Sequence, residues 1–89
     1  MNSGENWESK IDEIVYRELR KFPKTYAQKI LNVIEALPID PYTGDIQKIK
    51  GEKHIWRRRV GVYRIFYEIN GKAKIIHVFW VEHRSSRTY

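Results

Sequence analysis

Four arginines lie within eight residues of one another in the segment HIWRRRVGVYRIFYEI, residues 54–69. They are Arg57, Arg58, Arg59 and Arg64. A guanidinium group stays charged, and its planar fork can hold a phosphate through two parallel N–H groups. It can also stabilise negative charge that develops on phosphoryl oxygens. The cluster therefore predicts a site for a phosphate-containing partner.

The positive charge continues on both sides of the arginines. Residues 46–64 carry the four arginines and also three lysines, Lys48, Lys50 and Lys53. Glu52 is the only carboxylate in that range. The alternative is a solvated charged face in which the arginines pair with carboxylates, for which the sequence offers Glu52, Glu68 and Glu82. Because so few carboxylates lie nearby in the sequence, we expect an anion-binding face, with the lysines and Arg58 as further phosphate contacts.

The net charge of +6 is divided unequally along the 89 residues. Residues 1–45 hold 6 Lys and Arg against 8 Asp and Glu, which gives −2, whereas residues 46–89 hold 11 against 3, which gives +8. This asymmetry concentrates positive potential on one part of the surface, as expected for a polyphosphate or an acidic protein partner.

The composition indicates a single domain over residues 1–89. There is no cysteine, and the three histidines lack metal-ligand spacing, so neither a disulfide framework nor a metal site is expected. No apolar run approaches the roughly 20 residues of a membrane span, and the first ten residues do not resemble a signal peptide. We expect a cytoplasmic protein without cofactors.

The first half of the chain has the pattern of two helices. A short alternating segment, residues 7–11, precedes Asp12, which is a suitable N-cap for a helix over residues 13–22. Pro23 separates this helix from a second one over residues 24–36, and each has a single apolar stripe that indicates core packing.

The second half changes to the period-two pattern of strands. Segments 46–50, 54–60, 63–69 and 73–83 are rich in β-branched and aromatic residues, and Asn70-Gly71 predicts a tight turn before the last one. We therefore expect an α+β fold with two N-terminal helices on one face of a small, mainly antiparallel sheet. The other face of that sheet would remain open for a site.

Strand alternation predicts which face each arginine occupies. Trp56 and Arg58 share one face of segment 54–60, and Arg57 and Arg59 share the other. The tryptophan face is expected to pack under the helices. Arg57 and Arg59 would then project from the open face, with Arg64 of the next strand beside Arg59.

These segments resemble the RelE/ParE toxin superfamily of toxin–antitoxin modules, and the RelE branch in particular. The resemblance lies in KIKGEKHIWRRRVGVYRIFYEI and VEHRSSRTY, and it extends to KIDEIVYRELRKFP and LPIDPYTGD near the helices. It implies a β-α-α-β-β-β fold. It also implies a ribosome-dependent endoribonuclease that cleaves mRNA in the ribosomal A site and contacts 16S rRNA there. A cognate antitoxin is expected to cover this enzyme.

The resemblance also assigns residues. The family's basic pair on the central strand falls on Arg57 and Arg59, which are lysines in the best-described members. The next family arginine falls on Arg64, the arginine after the last strand on Arg84, and the catalytic tyrosine on Tyr89.

Metal-free RNA cleavage must deprotonate the 2′-oxygen, stabilise the phosphoryl oxygens and protonate the leaving 5′-oxygen. Guanidinium groups suit the second task and are poor bases, because their pKa is above about 12. We expect Tyr89 to be the base, since nearby guanidinium groups lower a phenol pKa from about 10. His83 is a second candidate, as a proton shuttle.

Two other functions remain compatible with the sequence. One is a ParE-type DNA gyrase inhibitor, which shares the fold and performs no nuclease chemistry. The other is an inert RNA- or protein-binding relative, since arginine in place of lysine can preserve binding while losing base chemistry.

Overall fold

The computed structural model describes residues 7–85. In chain order the elements are β1 (Glu8–Ile11), α1 (Glu13–Leu19), α2 (Lys24–Ala36), β2 (Ile46–Lys48), β3 (Ile55–Val60), β4 (Tyr63–Asn70) and β5 (Ile75–His83).

The strands form one sheet in the order β1-β5-β4-β3-β2. β1 runs parallel to β5, and every other neighbouring pair is antiparallel. The predicted α+β architecture is confirmed. The sheet has one strand more than the β-α-α-β-β-β order that the resemblance implies, because the short β2 pairs along the outer edge of β3.

Both helices pack on one face of the sheet, α1 mainly against β5 and α2 against β4. The core between them is apolar, as the helical stripes predict: Val15, Leu19, Ile30, Ile34, Leu37, Tyr63, Ile65, Tyr67, Ile69, Ile76, Val78 and Val81. Within residues 7–85 the opposite face carries no helix, and we call it the open face.

Helix α1 is shorter than predicted. It ends at Leu19, and the next residues form tight turns in which Lys21 N–H donates to Glu18 O and Phe22 N–H to Leu19 O. Pro23 explains this end, since the residue before a proline avoids the helical conformation.

Asp12 is the N-cap residue of α1, as predicted, but its carboxylate makes no capping hydrogen bond. Its Oδ1 lies 2.7 Å from Nε2 of His77, in the middle of β5. The parallel pairing of β1 with β5 explains the difference, because Asp12 N–H bonds to Val78 O and so brings the carboxylate beside His77.

The hairpin that Asn70-Gly71 predicts after β4 is present, but its loop is longer than a tight turn. Asn70 pairs with Ile75, so the loop has the four residues 71–74. Asn70 Oδ1 accepts a hydrogen bond from Ala73 N–H, and the positive φ of 58° belongs to Lys74. Asn70 therefore stabilises this loop through its side-chain hydrogen bond and not through a positive φ of its own.

Candidate anion-binding site

Strand β3 presents its arginines to two faces, as alternation predicts. Trp56 and Val60 pack against the core, and their same-face neighbour Arg58 lies with them. Arg57 and Arg59 project from the open face, where Arg64 of β4 is the cross-strand partner of Arg59.

These three arginines line a small hollow of about 70 Å³ together with Asp45 and Gln47. We call it the arginine hollow. Gln47 is the cross-strand partner of Arg57, and Arg59 N–H bonds to Asp45 O, so the edge strand β2 supplies one wall. The structure thus brings together three of the five residues predicted to be catalytic.

Each arginine of the hollow has a polar neighbour. Arg59 Nε lies 2.9 Å from Asp45 Oδ2, Arg64 Nη1 lies 3.2 Å from Glu82 Oε2, and Arg57 Nη2 donates to Gln47 Oε1. Two of the three arginines therefore have a carboxylate partner, contrary to the expectation, whereas the neighbour of Arg57 is an amide. Counting carboxylates along the sequence left out Asp45, just before β2, and gave little weight to Glu82, which reaches Arg64 from β5.

The two carboxylates differ in burial. The Asp45 side chain is 61% exposed and its Arg59 partner 54%, so water and salt screen this pair. The Glu82 side chain is only 14% exposed, and its Oε1 accepts a hydrogen bond from Trp80 Nε1 at 3.0 Å. The Asp45–Arg59 contact is therefore weak and open to exchange with another anion, whereas the Glu82–Arg64 contact is better shielded from water.

A guanidinium group has five N–H donors, so each of these contacts leaves donors for another acceptor. Three arginines and two carboxylates give the hollow and its support a formal charge of +1. The arrangement suits a small anion that is held by several N–H groups at once.

Arg58 and the three lysines, which were predicted to be further phosphate contacts, lie outside the arginine hollow. Arg58 lies on the helix side of the sheet, where its Nη1 donates to Thr43 O and its buried Nε has no hydrogen-bond partner among the described residues. Lys48 pairs with Trp56, which also places it on that side, and the loop between β2 and β3 carries exposed Lys50 and Lys53.

His83 is also outside the hollow. It pairs with Tyr63, its ring centroid is 5.1 Å from that core tyrosine, and its Nδ1 accepts the Ser85 N–H bond at 3.1 Å. Arg84 follows β5 and is exposed. Tyr89 lies outside the described residues.

A larger groove of about 410 Å³ lies over the two helices, lined by apolar side chains such as Leu19, Phe22 and Leu31. Arg20 and Lys24 also line this groove, but it does not include the three arginines that converge in the arginine hollow. Within residues 7–85, no three histidine or carboxylate side chains converge as metal ligands do, and neither helix is long and apolar enough to cross a membrane.

The fold is shared with solved toxin structures. The RelE–RelB complex of Pyrococcus horikoshii OT3 superposes with a TM-score of 0.77 and 26% identity, over 92% of this chain and 99% of the other. The RelB–RelE complex of Methanococcus jannaschii has a TM-score of 0.71 and 30% identity, over 84% of this chain and 90% of the other.

Sequence comparison agrees with the structural one. RelE1 of Methanocaldococcus jannaschii is 29% identical over 77 residues, which cover 83% of this chain and 86% of that protein. The family described as the ParE toxin of type II toxin–antitoxin systems, parDE, matches residues 6–88. The chain belongs to this family of toxins, within the RelE/ParE superfamily.

Proposed function

We propose that this toxin is a ribosome-dependent endoribonuclease that cleaves mRNA in the ribosomal A site, in the cytoplasm, and so stops translation. The observation that carries the proposal is the arginine hollow, in which three arginines from β3 and β4 come together on the open face beside Asp45 and Gln47. The similarity to RelE proteins of two archaeal species supports the same choice.

In the proposed reaction the 2′-oxygen loses its proton and attacks the adjacent phosphorus. The new O2′–P bond forms while the P–O5′ bond breaks, and the 5′-oxygen takes up a proton. Arg57, Arg59 and Arg64 neutralise the phosphoryl oxygens, and Arg84 holds the leaving-group side. No metal takes part in this scheme.

Tyr89 is the proposed base for the 2′-hydroxyl. The position of His83, against Tyr63 on the helix side, supports Tyr89 over the imidazole. Tyr89→Phe should lose most cleavage, whereas His83→Gln should retain it. The opposite result would transfer the acid–base role to His83.

The proposed protein partner is an antitoxin that covers the positive surface while cells grow. The relatives RelE of P. horikoshii and of M. jannaschii were both solved as complexes with RelB. A net charge of +6 favours an acidic partner, and one that folds on contact could wrap around the toxin.

The family description favours a second candidate, inhibition of DNA gyrase, because it carries the ParE name. The arginine hollow has no assigned role in that activity. Cell-free translation followed by mapping of mRNA ends separates the two: cuts in the A-site codon support the nuclease, and gyrase-dependent DNA breaks with intact mRNA support the gyrase inhibitor.

Arg64→Ala and Arg84→Ala test the residues in the same assay, with Arg17→Ala as the control. Arg17 is an exposed arginine on α1, so its substitution removes one positive charge far from the hollow. We expect both test variants to lose cleavage while circular dichroism shows the native fold. Full cleavage by the folded variants would contradict the assignment.

A further inference from the structure

Three aromatic side chains lie beside the arginine hollow on the open face and belong to no part of the core. Phe66, Phe79 and Trp80 are each only partly buried, and they are absent from the cluster that packs under the helices. We call them the aromatic patch. Each ring keeps part of its surface accessible on the open face, and adjoining apolar surface of this kind, rimmed by charged side chains, is typical of an interaction site.

A β-bulge in β5 creates this patch. Phe66 pairs with Trp80 and Tyr67 pairs with Val78, so Phe79 is an extra residue without a cross-strand partner. Its ring centroid lies 6.5 Å from that of Phe66, on the open face. Strict alternation would turn either Phe79 or Trp80 toward the helices, whereas the bulge turns both to the open face.

The patch is continuous with the hollow. Phe66 stands between its cross-strand partners Arg57 and Trp80, and two residues after Arg64. Same-face residues along a strand repeat every 7 Å or so, about twice the rise per residue. The Glu82 carboxylate also joins the two regions, because it accepts hydrogen bonds from Trp80 Nε1 and Arg64 Nη1.

We propose that the aromatic patch is a base-stacking subsite for single-stranded RNA, which receives the base next to the phosphate in the arginine hollow. The choice of RNA rests on the proposed function. Aromatic rings interleaved with arginines are the usual means of holding single-stranded nucleic acid, since every base offers a face for stacking. Phe66 has Arg57 as its cross-strand partner and Arg64 two residues before it, so a phosphate held by these arginines would leave its own base within reach of the ring.

The test uses the full chain and a ribo-oligonucleotide with 2-aminopurine at its centre, whose fluorescence falls when the base stacks. Phe66→Leu keeps an apolar side chain and removes the aromatic face, and Phe66→Trp restores one. Tyr16→Leu is the control, because Tyr16 is an exposed aromatic on α1. Stacking contributes about 1–3 kcal/mol per base, so Phe66→Leu should weaken binding by about 5- to 140-fold.

The expected result is quenching by the wild type, the Trp variant and the control, and loss of both quenching and affinity in Phe66→Leu. Unchanged affinity and quenching in a folded Phe66→Leu protein would overturn the subsite. So would wild-type binding without quenching, or the absence of wild-type binding.

Two further outcomes separate the subsite from the proposed function. If Phe66→Leu behaves as predicted with the oligonucleotide while the wild type cleaves no mRNA on ribosomes, the subsite stands and the nuclease proposal fails. If Phe66→Leu cleaves at the wild-type rate and instead loses affinity for the purified antitoxin, the patch is a protein interface and the subsite is refuted.

Discussion

Asp45 and Glu82 each place one carboxylate against an arginine of the hollow, yet their removal should have opposite effects. Asp45→Asn removes a charge that competes with phosphate for Arg59, so RNA affinity should rise. Because both partners of that pair are more than half exposed, the gain is limited to about 1 kcal/mol, or about fivefold at low salt.

Glu82→Gln should reduce activity although it also removes a negative charge. Glu82 is largely buried, and its carboxylate fixes Arg64 Nη1 at 3.2 Å. Charged hydrogen bonds of this kind contribute about 1.5 kcal/mol or more, and partial exposure of Arg64 reduces that figure. We expect cleavage to fall on the order of fivefold to tenfold, with RNA affinity unchanged or lower.

Fluorescence anisotropy with a labelled ribo-oligonucleotide at several salt concentrations measures the affinities, and single-turnover cleavage on programmed ribosomes measures the rates. The effect of Asp45→Asn should shrink as salt rises, since screening already weakens the pair. If both variants bind RNA more tightly and cleave faster, net charge alone governs the hollow and the positioning role of Glu82 is refuted.

Two predictions concern stability. Gly44 (φ 88°) and Gly51 (φ 87°) both adopt a backbone conformation that costs alanine about 1–2 kcal/mol. Only a Cβ on Gly44 would also press against the Arg58 guanidinium, so chemical denaturation should show a larger loss of stability for Gly44→Ala than for Gly51→Ala. Equal losses of stability would contradict this prediction. Burial raises the pKa of Tyr67 to about 12, against 10.0 ordinarily, so the unfolded chain releases this proton first and the free energy of unfolding should fall by roughly 2–3 kcal/mol as pH rises from about 10 to 12. Tyr67→Phe should remove that dependence, and an unchanged slope would assign it to other groups.

Local patterns were sufficient to predict the architecture and the facing of the central strand. The apolar stripes of α1 and α2 correspond to the buried side of each helix, and the alternation of Trp56 with Arg57 predicted which of them lies over the core. These features depend on neighbours a few residues apart, so the sequence displays them directly.

The rest depends on contacts between distant segments. Asp45 and Glu82 reach Arg59 and Arg64 only after the sheet has formed, across 14 and 18 residues of sequence. The bulge at Phe79 depends on the pairing of β4 with β5, and it produces an aromatic surface that alternation alone would not predict.

The capping hydrogen bond expected of the Asp12 carboxylate is absent for the same reason, because its partner His77 lies 65 residues away in the sequence. The Asp12 carboxylate contacts His77 and does not accept the N–H groups of α1, because the folded sheet places His77 beside it.

Single-turnover cleavage of A-site mRNA by an Arg57→Gln/Arg59→Gln variant tests the central claim most directly. Glutamine keeps a polar side chain with an N–H donor at each position, although it is shorter and has fewer donors than arginine, and it removes both charges from the hollow. With a native circular dichroism spectrum, the variant should cleave at least a hundredfold more slowly than the wild type, about 2.7 kcal/mol in activation free energy, the scale of losing one oxyanion donor. Cleavage within about twofold of the wild-type rate would show that the arginine hollow does not hold the reacting phosphate.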